Sequence, residues 1–288
     1  VRQRAYAIRV ADVTARAAVT HESTLDVTRI PARSFAVLPF TATGGDSLLT
    51  PLRFALPALL MSDLAVSPSL RLVDRLATDA VLRETQLIDA GAVDPRGAPR
   101  VGRLVGARRL LLGEVTYSGP TRIRISARVV DVLAGTVQEL VSAEAPLDRV
   151  IDAERALAVR LFEQLDVTLT PAQRAKIEQQ QPVQLAAVVA YGRGVDAEAH
   201  GDVPRAQAAF AEAAKQDRRF ASAPAAPPIG TAPPSLRAAD PATRIEQVTA
   251  LGVAALNAPL PTKLPEAADA PLSPSTALAI SILVRVRP

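Results

Sequence analysis

The chain has 288 residues and a formal net charge of +4; it contains no cysteine and is 49% hydrophobic but only 3% aromatic. A chain of this length holds one ordinary core with an appendage, or two small domains, and here the core must be built from Leu, Val, Ile and Ala. The missing cysteine excludes a disulfide scaffold, a thiol nucleophile and a thiolate metal site, and no run approaches the ~18 apolar residues of a membrane span.

Three lysines occur (Lys176, Lys215, Lys263), so the positive charge is nearly all arginine. The acids are spread among the arginines, which reads as compositional bias more readily than as a dedicated basic face. The start, VRQRAYAIRV, lacks the apolar centre of a signal peptide. With Val1 in place of an initiator Met, the expectation is a sequence that begins after a removed leader, a cytoplasmic chain being the other option.

In chain order, Tyr6–Val13 and Leu25–Ile30 read as strands around a polar stretch. Tyr6, Ile8 and Val10 would line one side of an edge strand or of an arm that pairs with another subunit. Ser34–Phe40 (SFAVLPF) is a near-continuous apolar run, as expected for a strand covered on both faces. A glycine-containing loop, Thr41–Ser47, leads to a helical stripe of Leu52, Leu56, Leu59, Leu60 and Leu64, which Pro57 should kink or start late. The loop has neither phosphate-binding glycine pattern. Leu70–Val73 is a short strand, Asp74 caps a helix to about Leu87 with Leu76 and Ala80 inward, and Asp94-Pro95 opens a helix closed by Gly106.

Leu110–Tyr117, Ile123–Val132 and Thr136–Ala143 are apolar, β-branched runs separated by Ser118-Gly119-Pro120 and Leu133-Ala134-Gly135. They predict a three-stranded antiparallel meander. In the middle run Ile123, Ile125, Ala127 and Val129 alternate with Arg122, Arg124, Ser126 and Arg128, so aliphatic and guanidinium groups take opposite faces. An amphipathic helix over Pro146–Leu165 and a polar connector over Pro171–Gln180 follow.

Beyond Pro182 the chain is alanine-rich. Tyr191, Gly194, Gly201, Ala206, Phe210 and Ala213 are spaced as in two close antiparallel helices resembling one tetratricopeptide repeat, with Tyr191 and Phe210 as core. One repeat cannot bury its own face, so it should dock on the preceding domain or on a partner. Residues 224–277 are low in complexity and proline-rich, with one short helix expected at Ala242–Leu256. The last run, Leu278–Val286, is a strand candidate with Ile280, Ile282, Val284 and Val286 on one face, available to extend a sheet.

The expected fold is therefore α/β: a three-layer sandwich with a mixed sheet containing an antiparallel meander, a small α-helical hairpin and a Pro-rich C-terminal extension. The expected division is an N-terminal arm with edge strands (1–33), the α/β domain (34–170), a helical segment (171–222) and a tail ending in a strand (223–288).

No catalytic, cofactor or metal constellation emerges. His21 and His200 lack triad or metal-ligand neighbours, and Asp63, Asp74, Glu84 and Glu114 are spread out. Arg108, Arg109, Arg122, Arg124 and Arg128 form the one candidate patch for an anionic partner. No aromatic residues interleave with them, which disfavours single-stranded nucleic acid, whose bases stack on aromatic platforms.

FAVLPF, LLMSDLAVSPSLRLVDR, GRLVGARRLLLGEV and RIRISARVVDVLAGTV, in this order, resemble the CsgG curli-secretion family and the related FlgO and TolB amino-terminal domains, over about Ser34–Leu165. The resemblance implies a three-layer α/β domain of the bacterial envelope, usually oligomeric and not an enzyme. The connections at Ser118–Pro120 and Leu133–Gly135 are too short for the long membrane hairpins of CsgG itself, and no propeller follows, so neither a pore nor TolB function is implied.

Two functional readings result. One is a structural or assembly subunit of a periplasmic or outer-membrane-associated complex, needing no cofactor, with protein partners and a homo-oligomer or larger envelope assembly expected. The other is an Arg-rich module for an anionic ligand, nucleic acid or acidic glycan, whose affinity would fall steeply with salt.

Overall fold

The computed structural model describes residues 2–43, 48–88, 93, 95–178 and 183–221. Its strands are β1 (Ser34–Val37), β2 (Thr41–Thr43), β3 (Arg71–Leu72), β4 (Arg109–Gly119), β5 (Arg122–Asp131) and β6 (Val141–Pro146). The helices are α1 (Arg2–Thr20), α2 (Leu49–Leu64), α3 (Arg75–Glu84), α4 (Ala98–Val105), α5 (Val150–Gln164), α6 (Pro171–Glu178), α7 (Leu185–Ala199) and α8 (Val203–Gln216).

The sheet runs β3-β1-β4-β5-β6, with β2 continuing alongside β4. β1 is parallel to both β3 and β4, and β4, β5 and β6 form the antiparallel meander. The path from β1 to β3 steps one way across the sheet, and the path from β3 to β4 steps back past β1. Right-handed crossovers then place α2 on one face and α3 with α4 on the other. Packing agrees: α2 lies against α5, and α3 against α4. The expected α/β sandwich with a mixed sheet is what the chain forms.

Local chemistry explains the element ends. Asp74 accepts from the Leu76 N–H as the N-cap of α3, and Gly106 ends α4 at φ 70°, a left-handed position that glycine takes at little cost. Pro57 neither delays α2 nor stops it, for α2 runs from Leu49 to Leu64 through it. Proline has no N–H for the Arg53 carbonyl four residues back. That carbonyl accepts from the Phe40 N–H instead (2.9 Å), while Arg53 Nε donates to the Phe40 carbonyl (3.0 Å). The same exchange absorbs a one-residue step in the strand: Val37 is opposite Leu111, but Thr41 is opposite Glu114. The Phe40 ring lies over Gly113, where a Cβ would overlap it.

The aliphatic face of β5 is buried as expected, with Ile123, Ile125, Ala127 and Val129 all nearly inaccessible. Its other face is split. Val130 and Val132 are also buried, Val132 against Gly102 of α4, while Arg122 and Arg124 are exposed. Each side chain so buried contributes about 1.5–3 kcal/mol relative to exposure.

α7 and α8 form the expected hairpin. The rings of Tyr191 and Phe210 are 5.7 Å apart, and Phe220 comes within 4.9 Å of Tyr191. Gly194 lets Phe210 in, and Gly192 rests on the Pro51 carbonyl of α2, so α7 packs directly on the sandwich.

Four expectations are corrected. Tyr6–Val13 is not a strand but part of helix α1, so Tyr6, Ile8 and Val10 present no strand edge. Ile8, Ala15 and Ala18 are buried and Ala11 packs against the core, a helical spacing that outweighs the short alternation at Tyr6, Ile8 and Val10. Leu25–Ile30 contains a single 3-10 turn at Val27–Arg29 instead of a strand. The glycine-containing loop begins with β2, and the third meander strand starts at Val141 rather than Thr136. The proposed helix at Ala242–Leu256 and the strand residues Ile280, Ile282, Val284 and Val286 lie outside the described residues.

Candidate interaction surface

The five arginines singled out from the sequence do not form one uniform patch. Arg122, Arg124 and Arg128 share a face of β5 by strand alternation, as expected. Glu144, opposite Arg124 on β6, accepts from Arg124 Nε at 2.5 Å and lies 4.0 Å from Arg122 Nε. The Arg124 bond holds the Glu144 carboxyl below its ordinary range, helped by the charge of Arg122. Arg128 is half-buried and pairs in register with Leu112. At the far end of the strand Arg108 Nε reaches both Asp131 oxygens at 3.2 Å, and Arg109 sits opposite Asp131, on the other face from Arg122, Arg124 and Arg128. The exposed sheet face is thus an alternating ladder of cations and anions, with Thr43 donating to Glu114 beside it (2.6 Å).

The densest charge lies elsewhere and is buried. Glu198 of α7, 1% exposed, accepts from Arg4 of α1 and from Arg75 of α3, the Arg4 Nη2 contact being 2.6 Å. Arg75 also donates to buried Asp79 at 2.5 Å. Burial raises the Glu198 carboxyl, but the two guanidinium groups outweigh that and leave it below its usual range. Burial pushes Asp79 up to about 6, against the pull of Arg75 and Arg83. Arg83 adds bonds to Asp12 of α1 and to the Ala199 carbonyl of α7. This network binds α1, α3 and α7 together. Nothing in the local sequence announces it, because Arg4 and Glu198 are 194 residues apart.

A second buried acid, Glu154 of α5, is 2% exposed and close to Asp63 of α2. Burial and then the Asp63 charge drive its carboxyl well above the usual range, and Arg155 offsets this only in part. Its Oε1 has no hydrogen-bond partner among the described residues. His21 Nδ1 and His200 Nδ1 each contact the carbonyl four residues earlier, Ala17 and Asp196, and His200 also meets the Asp196 carboxylate at 3.1 Å. Among the described residues no group of three or more His, Asp or Glu side chains could hold a metal ion, and no helix is long and apolar enough to cross a membrane.

Sequence reasoning also missed an exposed apolar crest. Leu133, Val137 and Leu140, in the connection from β5 to β6, are 40%, 43% and 54% exposed. The expected third strand over Thr136–Ala143 covers Val137 and Leu140, whereas β6 begins only at Val141 and leaves both in the connection.

Residues 12–120 match the profile of the family described as curli production assembly/transport component CsgG. This chain carries a CsgG-like region from α1 through β4, which starts before the expected Ser34 and ends before the RIRISARVVDVLAGTV motif and the expected Leu165. Among solved structures, the lipoprotein GNA1162 from Neisseria meningitidis is similar at 20% identity and TM-score 0.35, covering 49% of this chain and all of that one. The C-terminal domain of LpoB from Salmonella enterica is similar at 14% identity and TM-score 0.32, covering 40% of this chain and 83% of that one. The hypothetical protein CT253 from Chlamydia trachomatis gives 17% identity and TM-score 0.31, over 46% of this chain and 98% of that one. No curated protein matches.

Proposed function

We propose that this protein is a non-catalytic assembly subunit of a bacterial envelope complex, periplasmic or associated with the outer membrane, acting through protein contacts. The observation that carries the reading is the CsgG match over residues 12–120. The α/β body (34–170) is the scaffold and the tetratricopeptide-like hairpin (171–222) its appendage; the Pro-rich segment (223–288) lies outside the described residues. The ladder of Arg122, Arg124, Glu144 and Glu114 supports protein contact over a simple anionic ligand, because it carries both signs of charge and so favours a partner of complementary pattern. Salt therefore slows encounter more than it abolishes the complex.

Light scattering on the purified full chain, beside the same chain ending at Ser222, tests the assembly reading. The expected result is a discrete oligomer that dissociates on truncation. If both chains are monomeric and neither captures an envelope protein by crosslinking in cells, the reading fails.

A further inference from the structure

The crest between β5 and β6 is a built feature. Asp131 Oδ1 accepts from the Leu133 and Ala134 N–H groups at 3.0 and 2.9 Å, and Arg108 braces the same carboxylate. The Gly135 N–H donates to the Asp131 carbonyl and the Asp131 N–H to the Thr136 carbonyl, both at 2.9 Å, with Gly135 at φ +66°. The Gln138 N–H donates to the Val129 carbonyl (2.8 Å), Val137 bridges to Val130, and Gln164 Nε2 of α5 donates to the Glu139 carbonyl (2.6 Å). A connection hydrogen-bonded at so many points holds Leu133, Val137 and Leu140 out in water, although burying them would be favourable.

Basic residues flank the crest. Leu140 precedes Val141, which is opposite Ala127, so Arg128 is the next residue of β5 toward the connection. Arg109 enters the sheet opposite Asp131, at the crest's base. Neither arginine forms an ion pair with another described residue; exposed Glu139 is the opposing charge. We propose that Leu133, Val137 and Leu140 insert shallowly into an anionic lipid surface, with Arg109 and Arg128 meeting the headgroups. Leucine and valine are under-represented among the side chains that dominate protein interfaces, whereas lipid insertion rewards apolar area of any shape beside cationic groups. The inference stands on the geometry of this connection and is independent of the assembly reading.

The absence of cysteine makes the test direct. The full-length chain with Val137→Cys carries one environment-sensitive fluorophore, and a Lys215→Cys chain carries it on exposed α8. Vesicles of phosphatidylglycerol and phosphatidylethanolamine should roughly double emission at position 137, with little change at 215. Phosphatidylcholine vesicles should act weakly, and Arg109→Gln with Arg128→Gln should erase that difference. Leu133→Ser with Leu140→Ser, both at exposed positions, should weaken vesicle binding about tenfold with the fold retained by circular dichroism. No response at 137 with any vesicle overturns the proposal. So does an equal response at both positions, which marks adhesion of the whole chain, or a rise with protein concentration alone, which marks self-association.

Discussion

Glu198 and Glu154 are both almost wholly buried, at 1% and 2% exposure, yet their carboxyl groups move in opposite directions. Glu198 receives guanidinium donors from two other helices, so its charge is retained and ties α1, α3 and α7 into one unit. Glu154 faces another acid and has an unpartnered oxygen, so burial wins and its carboxyl moves up, toward the protonated form. Burial sets the cost of a charge, while the number of donors aimed at it decides whether the charge survives.

The largest effect comes from removing the anchored charge. Glu198→Gln leaves Arg4 and Arg75 without their shared anion in a dry site. Breaking one side of such a buried pair costs about 3–5 kcal/mol. Urea unfolding at pH 7 measures the loss, and hydrogen exchange should show α1 opening first because Arg4 holds its start. A loss no larger than that of an exposed charge would show that packing of Ile8, Ala15 and Ala18 suffices to hold α1.

Much of the sandwich was legible because its signals are local. The Asp74 cap, the Gly106 left-handed end and the period-2 pattern from Ile123 to Val129 each concern neighbours in sequence. α1 was misread because Tyr6, Ile8 and Val10 alternate over five residues, while the deciding stripe of Ile8, Ala15 and Ala18 needs eleven. β2 and the unbroken course of α2 through Pro57 share one cause, the exchange between Phe40 and Arg53, which only tertiary contact creates. The Arg122 and Arg124 face was visible, but their neutralisation by Glu144 depends on the register of β6, which begins five residues later than expected. Charge clusters spanning the chain are illegible for the same reason.

A second substitution sharpens the comparison through pH. Glu154 has a raised folded pKa, so the folded state holds a proton that the unfolded chain releases above about pH 4.5. Stability therefore falls as pH rises from there toward the folded value. Glu154→Gln cannot ionise and should be more stable than the parent at pH 8, with little difference at pH 4. Glu198 has the opposite sign: its contribution is complete above the ordinary 4.5 and is lost as pH falls through its lowered value. Asp79, at about 6, runs with Glu154, so acid profiles of Glu198→Gln must be read against Asp79→Asn. Thermal melts from pH 4 to 8 check both signs, and a gain from Glu154→Gln that is flat with pH would mean Glu154 is ionised in the fold.

The smallest expected effect is at the surface ladder. Glu144 also lies below its ordinary range and also meets two arginines, so on donor number alone it resembles Glu198. It is exposed, however, and water already solvates both partners before folding, so the bond replaces hydration of nearly equal value. Glu144→Gln should leave the melting temperature unchanged at physiological salt, while the same change at Glu198 is severe. If Glu144→Gln leaves folding intact but weakens assembly of the full chain in light scattering, the ladder is spent on a partner and not on the fold. A melting-temperature drop comparable to that of Glu198→Gln would instead mean that the paired charges hold β6 to the sheet.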